Sequence, residues 1–177
     1  MADDQPCFSR RRFLLGSGST MVTILLSSLP GMAHAKGVLK LRRTGYPRTK
    51  IGRISLLEKG RPVFFKYPGQ HAHCAFMLVR LGREAAGGVG PDQDIVAFSR
   101  LCAHMGAPLD GFREEHSTLG PCAEHLTVFD LRRHGMVVSG HATETLPQAV
   151  LETDGDDIYA VGVLGLIYGF HDNQDAL

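Results

Sequence analysis

The chain has 177 residues, of which 44% are hydrophobic and 21% are charged. This composition is typical of a globular protein, and the length suits one domain with a substantial core better than two. The formal net charge is only +1 at pH 7, which disfavours nucleic acid as the main partner, because nucleic-acid-binding domains usually carry clusters of Lys and Arg.

The N-terminus has the three parts of an export signal. An arginine cluster at 10–12 precedes a mostly apolar run at 13–29, and the small-residue site Ala-His-Ala follows at 33–35. The letters SRRRFL at the start of this segment resemble the twin-arginine motif, which directs folded bacterial proteins to export. We predict that residues 1–35 are a twin-arginine signal whose cleavage leaves residues 36–177 in the periplasm.

Export as a folded protein implies that a cofactor is inserted before export. An uncleaved signal would instead anchor the protein in a membrane, but the Gly, Ser and Thr residues at 16–20 lower the apolarity of a run that is barely long enough to span. After cleavage only Cys74, Cys102 and Cys122 remain, and an odd number does not make a disulfide framework. We expect Cys74 to be a small buried residue on a strand.

Short runs of β-branched, aromatic and aliphatic residues alternate with turn signals along the rest of the chain. The predicted strands are RISLL from Arg53, PVFFKY from Pro62, AFMLVRL from Ala75, IVAFS from Ile95, TVFDL from Thr127, GMVVSG from Gly135, AVLE from Ala149 and DIYAVGV from Asp157. No long helical period intervenes, so the predicted class is all-β, an antiparallel sandwich or small barrel with long loops. The Gly-rich segment from Arg83 is expected to be a hairpin loop, because it lacks the Lys-Ser/Thr of a phosphate-binding loop.

Charge is unevenly distributed. Residues 36–66 contain ten Lys or Arg and one acidic residue, whereas residues 67–177 contain six and fifteen. This pattern is typical of solvated strand faces, and it would also suit a basic arm that lies against an acidic partner subunit.

Two short motifs carry the candidate chemistry. Cys102 and His104 are two positions apart, Cys122 and His125 are three apart, and 17 residues separate the two pairs. A zinc ion accepts two Cys and two His, but structural zinc sites more often pair Cys with Cys and His with His. A single residue between Cys102 and His104 favours ligands that reach different atoms of a larger object, such as a two-iron cluster.

The segment 102–127 resembles both ligand boxes of the Rieske iron–sulfur family, and the strand-rich remainder of 36–177 is similar to the rest of that domain. The resemblance implies a [2Fe–2S] cluster in a subdomain formed by two loops at about 97–147. Cys102 and Cys122 would bind one iron, and His104 and His125 the other. Imidazole ligands raise the reduction potential to roughly −150 to +300 mV, from about −400 mV in plant-type ferredoxins.

The chain departs from the quinol-oxidising members of this family at several positions. Where those members have a disulfide between the loops, this sequence has Ala107 and Glu124. Where they place Ser and Tyr hydroxyls that donate to cluster and ligand sulfur, it has Thr127 and Phe129. One hydrogen-bond donor is thus kept and one lost, which implies a lower potential.

The stretch SGHATETLPQAVLE from Ser139 resembles the proline-containing loop that covers the cluster in this family. Pro147 is the expected cover. His141 is interpreted as a polar loop residue, because four ligands are already assigned.

The letters SRRRFL, CAHMGAPL and CAEHLTVFDLRRHG together resemble the small Rieske subunit of bacterial arsenite oxidase. That resemblance implies one-electron transfer from a molybdopterin-containing large subunit to a periplasmic cytochrome c or copper protein. The Rieske subunit of a quinol-oxidising cytochrome bc complex is the alternative, although it keeps its signal as an anchor and normally has the disulfide. A zinc-stabilised exported binding domain is the alternative outside redox chemistry.

Overall fold

A computed structural model describes residues 45–177, so the predicted export signal lies outside the described residues. Ten strands are present there: β1 Thr49–Arg53, β2 Val63–Lys66, β3 Ala75–Arg80, β4 Ile95–Ser99, β5 Phe112–Arg113, β6 Thr118–Leu119, β7 Val128–Asp130, β8 Met136–Ser139, β9 Gln148–Asp154 and β10 Asp157–Leu164. The helices of this part are three short 3₁₀ turns at Ile54–Leu56, Ala72–Cys74 and Asn173–Ala176. None of them is long and apolar enough to cross a membrane. The all-β prediction is confirmed.

The strands form two antiparallel sheets. Six strands, in the order β1-β10-β9-β4-β3-β2, make a nearly closed, barrel-like sheet. The other four, in the order β5-β6-β7-β8, make a small sheet that is inserted in the chain between β4 and β9. The first motif loop lies between β4 and β5, and the second lies within the small sheet, between β6 and β7.

Strands β3 and β4 explain how the two parts are joined. Nearly every residue of both strands is buried, because alternate side chains of a strand point to opposite faces and both faces are covered. One face contributes to a core that we call the site-side core, which also contains the two motif cysteines: Met77, Val79, Val96 and Phe98. The other face contributes to the base core inside the large sheet: Phe76, Leu78, Ile95 and Ala97.

The strand predicted to start at Arg53 is wrong. β1 ends at Arg53, and Ile54–Leu56 form a 3₁₀ turn. The cause is Asp156, in the tight turn between β9 and β10. Its carboxylate accepts hydrogen bonds from the Ser55 amide at 2.8 Å and the Ser55 hydroxyl at 2.6 Å, and its carbonyl accepts one from the Ile54 amide at 2.8 Å. A contact across 101 residues thus overrides the local strand propensity.

The sequence pattern also missed β5 and β6, which have two residues each and are too short to show alternation. The Gly-rich segment from Arg83 was predicted correctly, since it connects the antiparallel strands β3 and β4.

The basic residues near the start of the described chain are paired within the chain. Arg48, Lys50 and Arg53 lie on or beside β1 and form ion pairs with carboxylates on β9 and β10, namely Glu152, Asp154 and Asp157. Such exposed pairs contribute about 0–1 kcal/mol each. For residues 45–66 the structure therefore favours solvated strand faces over an arm reserved for an acidic partner.

Candidate metal centre

The first motif loop follows β4 and closes on itself through its backbone. The Cys102 amide donates to the Ala107 carbonyl at 2.8 Å, and the Gly106 amide donates to the Cys102 carbonyl at 2.8 Å. Gly106 has φ of +73°, a left-handed conformation that glycine adopts without a steric penalty. This turn directs the Cys102 side chain inward, where only 1% of the residue is exposed.

The second loop follows β6 and repeats the same backbone pattern. The Cys122 amide donates to the Thr127 carbonyl at 2.9 Å, and the Leu126 amide donates to the Cys122 carbonyl at 2.9 Å. Leu126 occupies the position of Gly106 and has φ of +57°. Gly120 precedes the turn, and a Cβ atom there would lie 2.5 Å from the Thr127 carbonyl oxygen. The local chain geometry thus buries Cys122, which is 2% exposed.

The four motif side chains meet as two pairs. The Cys102 and Cys122 thiols are free and adjacent in the site-side core. The rings of His104 and His125 are half-buried, with centroids 4.6 Å apart and planes at 85°. No three or more His, Cys, Asp or Glu side chains in residues 45–177 are grouped to hold a single metal ion.

The electrostatics of the pairs suit a metal cluster. Burial raises the pKa of the Cys102 thiol, and the neighbouring Cys122 raises it further. Two buried thiols in contact ionise together only when a cation compensates them. The Nδ1 atoms of His104 and His125 are buried and have no hydrogen-bond partner among the described residues. Two adjacent thiols and two unpartnered ring nitrogens on the same two loops are the donor set that a two-iron cluster with mixed ligation takes.

Thr127 lies directly beneath the next loop. It is fully buried, and its Oγ1 accepts a hydrogen bond from the His141 amide at 3.1 Å. Gly140 packs so closely that a Cβ atom there would lie 2.3 Å from the Thr127 Cα. Because Oγ1 acts as an acceptor in this bond, its own hydrogen stays available, and its donation to a cluster or ligand sulfur stays a prediction.

His141 is an exposed loop residue, as interpreted from the sequence, but its proximity to the two motif histidines was not predicted. Its ring is exposed and lies 5.7 Å from the His125 ring and 6.1 Å from the His104 ring, between centroids. The interpretation as a polar loop residue omitted this proximity, and its position in the cover loop was the one signal available. Pro147 is buried directly before β9, and its carbonyl accepts a hydrogen bond from the Ser99 amide at 2.8 Å. Its role as cover stays a prediction.

Three segments therefore come together at the site: 101–109, 120–127 and 139–147. We call them the tip. Ala107 and Glu124, the two positions where the resemblance implies a disulfide in quinol-oxidising members, line one small cleft of the tip together with His125. Cys74 is fully buried in the base core, away from this site.

The family model described as the Rieske [2Fe-2S] domain matches residues 48–150. The chain belongs to this Rieske family. Two curated relatives match almost the whole of this Rieske protein, and both are named iodate reductase subunit IdrB. The one from Pseudomonas sp. (strain SCT) is 54% identical over 97% of this chain and 88% of its own length. The one from Denitromonas iodatirespirans is 56% identical over 97% and 89%.

Other Rieske proteins match over a smaller part. The cytochrome bc1 complex Rieske iron–sulfur subunit of Streptomyces lividans is 39% identical over 57 residues, 32% of each chain. Among solved structures, the soluble domain of Rieske protein II (soxF) from Sulfolobus acidocaldarius is 28% identical, with a TM-score of 0.58, over 67% of this chain and 78% of that one.

The cofactor of this Rieske protein is a [2Fe–2S] cluster of the Rieske type, which confirms that prediction. When bound, such a cluster accepts and releases one electron. The protein excludes water from the two thiols by burying them in the site-side core. It leaves the two imidazoles half-buried at the surface, where an electron can pass to another protein over a short distance.

Proposed function

We propose that this protein is the electron-transfer subunit of a periplasmic oxidoreductase of the iodate reductase type. The observation that carries this proposal is the extent of the match. Identities of 54% and 56% run across nearly the full length of both chains, so they include the surfaces and not only the two loops. The match to the cytochrome bc1 subunit spans only 57 residues. The bc alternative is therefore less well supported.

For the cluster we propose that Cys102 and Cys122 bind one iron, and that His104 and His125 bind the other. The two thiols are adjacent in the core and the two rings are adjacent nearer the surface, as this division requires. The iron with imidazole ligands would take the electron, because neutral ligands stabilise its ferrous state better than thiolates do.

The proposed partners are a larger catalytic subunit and a soluble carrier. The resemblance to arsenite oxidase suggests a molybdopterin centre in the large subunit and a cytochrome c or copper protein as the carrier. In a reductase, electrons pass from the carrier through the cluster to the oxyanion. In an arsenite oxidase, the second candidate, they pass in the opposite direction.

Electron paramagnetic resonance distinguishes the two directions. The complex is purified from native cells through a tag on this chain. It is divided into one sample reduced by dithionite, with the excess removed, and one oxidised sample. We expect iodate to abolish the reduced Rieske signal, whereas arsenite should leave the oxidised sample silent. A signal that arsenite generates would favour arsenite oxidation. A signal that responds to neither would remove the support for both substrates.

The ligand assignment has a matched control within the chain. Cys102→Ser should remove the brown colour and the Rieske signal. Cys74→Ser changes the same residue type at an equally buried position in the other core and should keep both. If Cys102→Ser keeps the signal, the assignment is wrong.

The export route is tested by fractionation. The double substitution Arg10→Lys with Arg11→Lys should leave the protein in the cytoplasm. The export machinery recognises the two arginines themselves, so two lysines of the same charge do not replace them. Unchanged recovery in the periplasm would refute this route.

A further inference from the structure

The chain after β10 lies outside both sheets and is fixed to the large one at several points. Ile167 and Ala176 are fully buried in the base core. Between them, the Asn173 side chain accepts a hydrogen bond from the Ile167 amide at 2.9 Å and donates one to the Gly165 carbonyl at 2.8 Å. We call residues 165–177 the C-terminal segment. Its position is set by the core and by these side-chain hydrogen bonds.

This segment brings Tyr168 to the first motif loop. Gly106, at the turn of that loop, packs so closely against the tyrosine ring that a Cβ atom there would lie 2.2 Å from Cε1 and 2.3 Å from Cδ1 of Tyr168. Gly106 comes two positions after His104 and four after Cys102. The ring therefore contacts the turn of the loop that carries both of these proposed ligands.

Tyr168 is itself supported by aromatic side chains of the base. The His73 ring lies 6.2 Å from the Tyr168 ring, between centroids, and 5.8 Å from the Phe170 ring. Gly169 packs against His73 as well, since a Cβ atom there would lie 2.0 Å from the His73 Nδ1. His73 belongs to the 3₁₀ turn directly before β3, so Tyr168 links the first loop to the large sheet.

The first loop depends on such a link from outside. Its backbone hydrogen bonds join Cys102 to Ala107 and to Gly106, so they fix the shape of the loop and not its position. Ala107 stands where the resemblance implies a disulfide to the second loop, and alanine forms none. A groove of about 540 Å³ lies between Ala103 and the C-terminal segment, so the two are not in close contact along their whole length.

We infer that Tyr168 is a positioning residue for the cluster. Its ring holds the turn of the first loop against the base, and so keeps Cys102 and His104 directed at the iron atoms that they would bind. This inference rests on the ligand assignment in the proposed function. The Tyr168 hydroxyl has no hydrogen-bond partner among the described residues, so the ring makes the contact.

The ring can be removed without emptying the core. Tyr168 is 36% exposed, whereas Ile167 beside it is fully buried and anchors the segment. The expected defect is therefore local opening of the first loop, with the large sheet intact.

The test uses the purified complex and follows the cluster itself. Samples are incubated with EDTA, aliquots are reduced with dithionite, and the Rieske signal in electron paramagnetic resonance gives the fraction of cluster that remains. Tyr168→Ala should lose the cluster roughly tenfold faster than the wild type, because one aromatic packing contact on a ligand loop is lost. Tyr168→Phe keeps the ring and should lose the cluster at the wild-type rate.

Tyr159→Ala is the matched control. This tyrosine is also partly buried, but it lies on β10, and the Arg48 guanidinium stacks on its ring at 3.4 Å from the centroid. Its removal should leave the rate of cluster loss unchanged. Hydrogen exchange should become faster in residues 101–109 of Tyr168→Ala, where the Cys102 and Gly106 amides are hydrogen-bonded, and should stay unchanged in β1 and β10.

Asn173→Ala tests whether the effect passes through the segment. This variant keeps the tyrosine ring but loses the two hydrogen bonds that hold the turn before it, so it should also accelerate cluster loss. In the double variant with Tyr168→Ala, the rate should equal that of Tyr168→Ala alone. A general loss of stability would instead make the two effects multiply. Asn173→Ala also provides the test if Tyr168→Ala does not fold.

The outcomes separate this inference from the proposed function. Cluster loss at the wild-type rate in Tyr168→Ala and in Asn173→Ala would overturn the inference and leave the function intact. Equal acceleration in Tyr159→Ala or in Tyr168→Phe would also overturn it, because the effect would then not depend on the contact between the ring and Gly106. Absence of the Rieske signal in the wild type would overturn the function and the inference together.

Discussion

Replacing Thr127 by Val tests the contact that holds segment 139–147 over the site. Valine has a similar shape but removes the hydroxyl that accepts the His141 amide at 3.1 Å. A hydrogen bond contributes about 1 kcal/mol net, and a buried donor left without a partner costs about 1–3 kcal/mol. Thr127 is fully buried and Gly140 packs against it, so water has little room to replace the hydroxyl. We expect the free energy of unfolding to fall by about 2 kcal/mol.

For a chain of this size, each 1 kcal/mol shifts the melting temperature by about 2–4 °C, so Thr127→Val should melt roughly 4–8 °C lower. Circular dichroism of the oxidised protein at a fixed scan rate measures this shift. The midpoint potential should fall as well, because the hydroxyl hydrogen is available to the cluster sulfur. Thr127→Ser keeps the hydroxyl and should stay close to the wild type in both quantities.

Thr118→Val on β6 is the control, since its hydroxyl forms no hydrogen bond within the described residues. The reasoning is refuted if Thr127→Val has the same melting temperature as the wild type. It is also refuted if Thr127→Ser melts as low as Thr127→Val, because the methyl group and not the hydroxyl would then be responsible.

Three further variants test the environment of the site and of the base core. Phe129→Tyr adds the hydroxyl donor that the resemblance implies for other members, and it should raise the potential in a redox titration. An unchanged potential with a lower melting temperature would instead mean that the new hydroxyl is buried without a partner. His141→Ala should raise the potential, because water then reaches the two proposed ligand rings and stabilises the more negative reduced cluster. His141→Phe keeps an aromatic ring at this position, and its potential should stay near that of the wild type. Burial raises the pKa of Tyr67 well above its usual value, so the unfolded chain loses this proton first and the free energy of unfolding should decline above about pH 10. Urea titrations at about pH 8 and about pH 11 measure the free energy of unfolding at the two ends of this decline, and Tyr67→Phe should show no decline between them. Equal declines in the wild type and in Tyr67→Phe would contradict this prediction.

Much of this protein could be predicted because its strongest signals are local. The all-β class follows from short apolar runs between turn residues, and the two motifs of one Cys and one His each carry the family resemblance that implies the cluster. The strands with the clearest signals, β3 and β4, occur within one residue of their predicted starts and ends. Both strands are buried on both faces, and a continuous run of apolar residues is the sequence pattern that such burial requires.

The errors occur where distant residues determine the backbone. The run after Arg53 has strand propensity, yet Asp156 turns it into a 3₁₀ helix. His141 has no sequence feature that distinguishes it from His116 or His134, and its position beside the two proposed ligands arises from the Thr127 hydroxyl and the close packing of Gly140. A bond between residues 14 positions apart in a loop leaves no periodic signal.

The sequence by itself thus determined the all-β class, the strands with strong apolar patterns and the resemblance to the two Rieske ligand boxes, because each depends on residues within a few positions of one another. Only the tertiary structure decided which loops face each other, that Leu126 takes a strained and exposed conformation, and that Glu124 lines the same cleft as His125. These features result from the packing of three separate segments, whose relative positions depend on contacts that no single stretch of the chain contains.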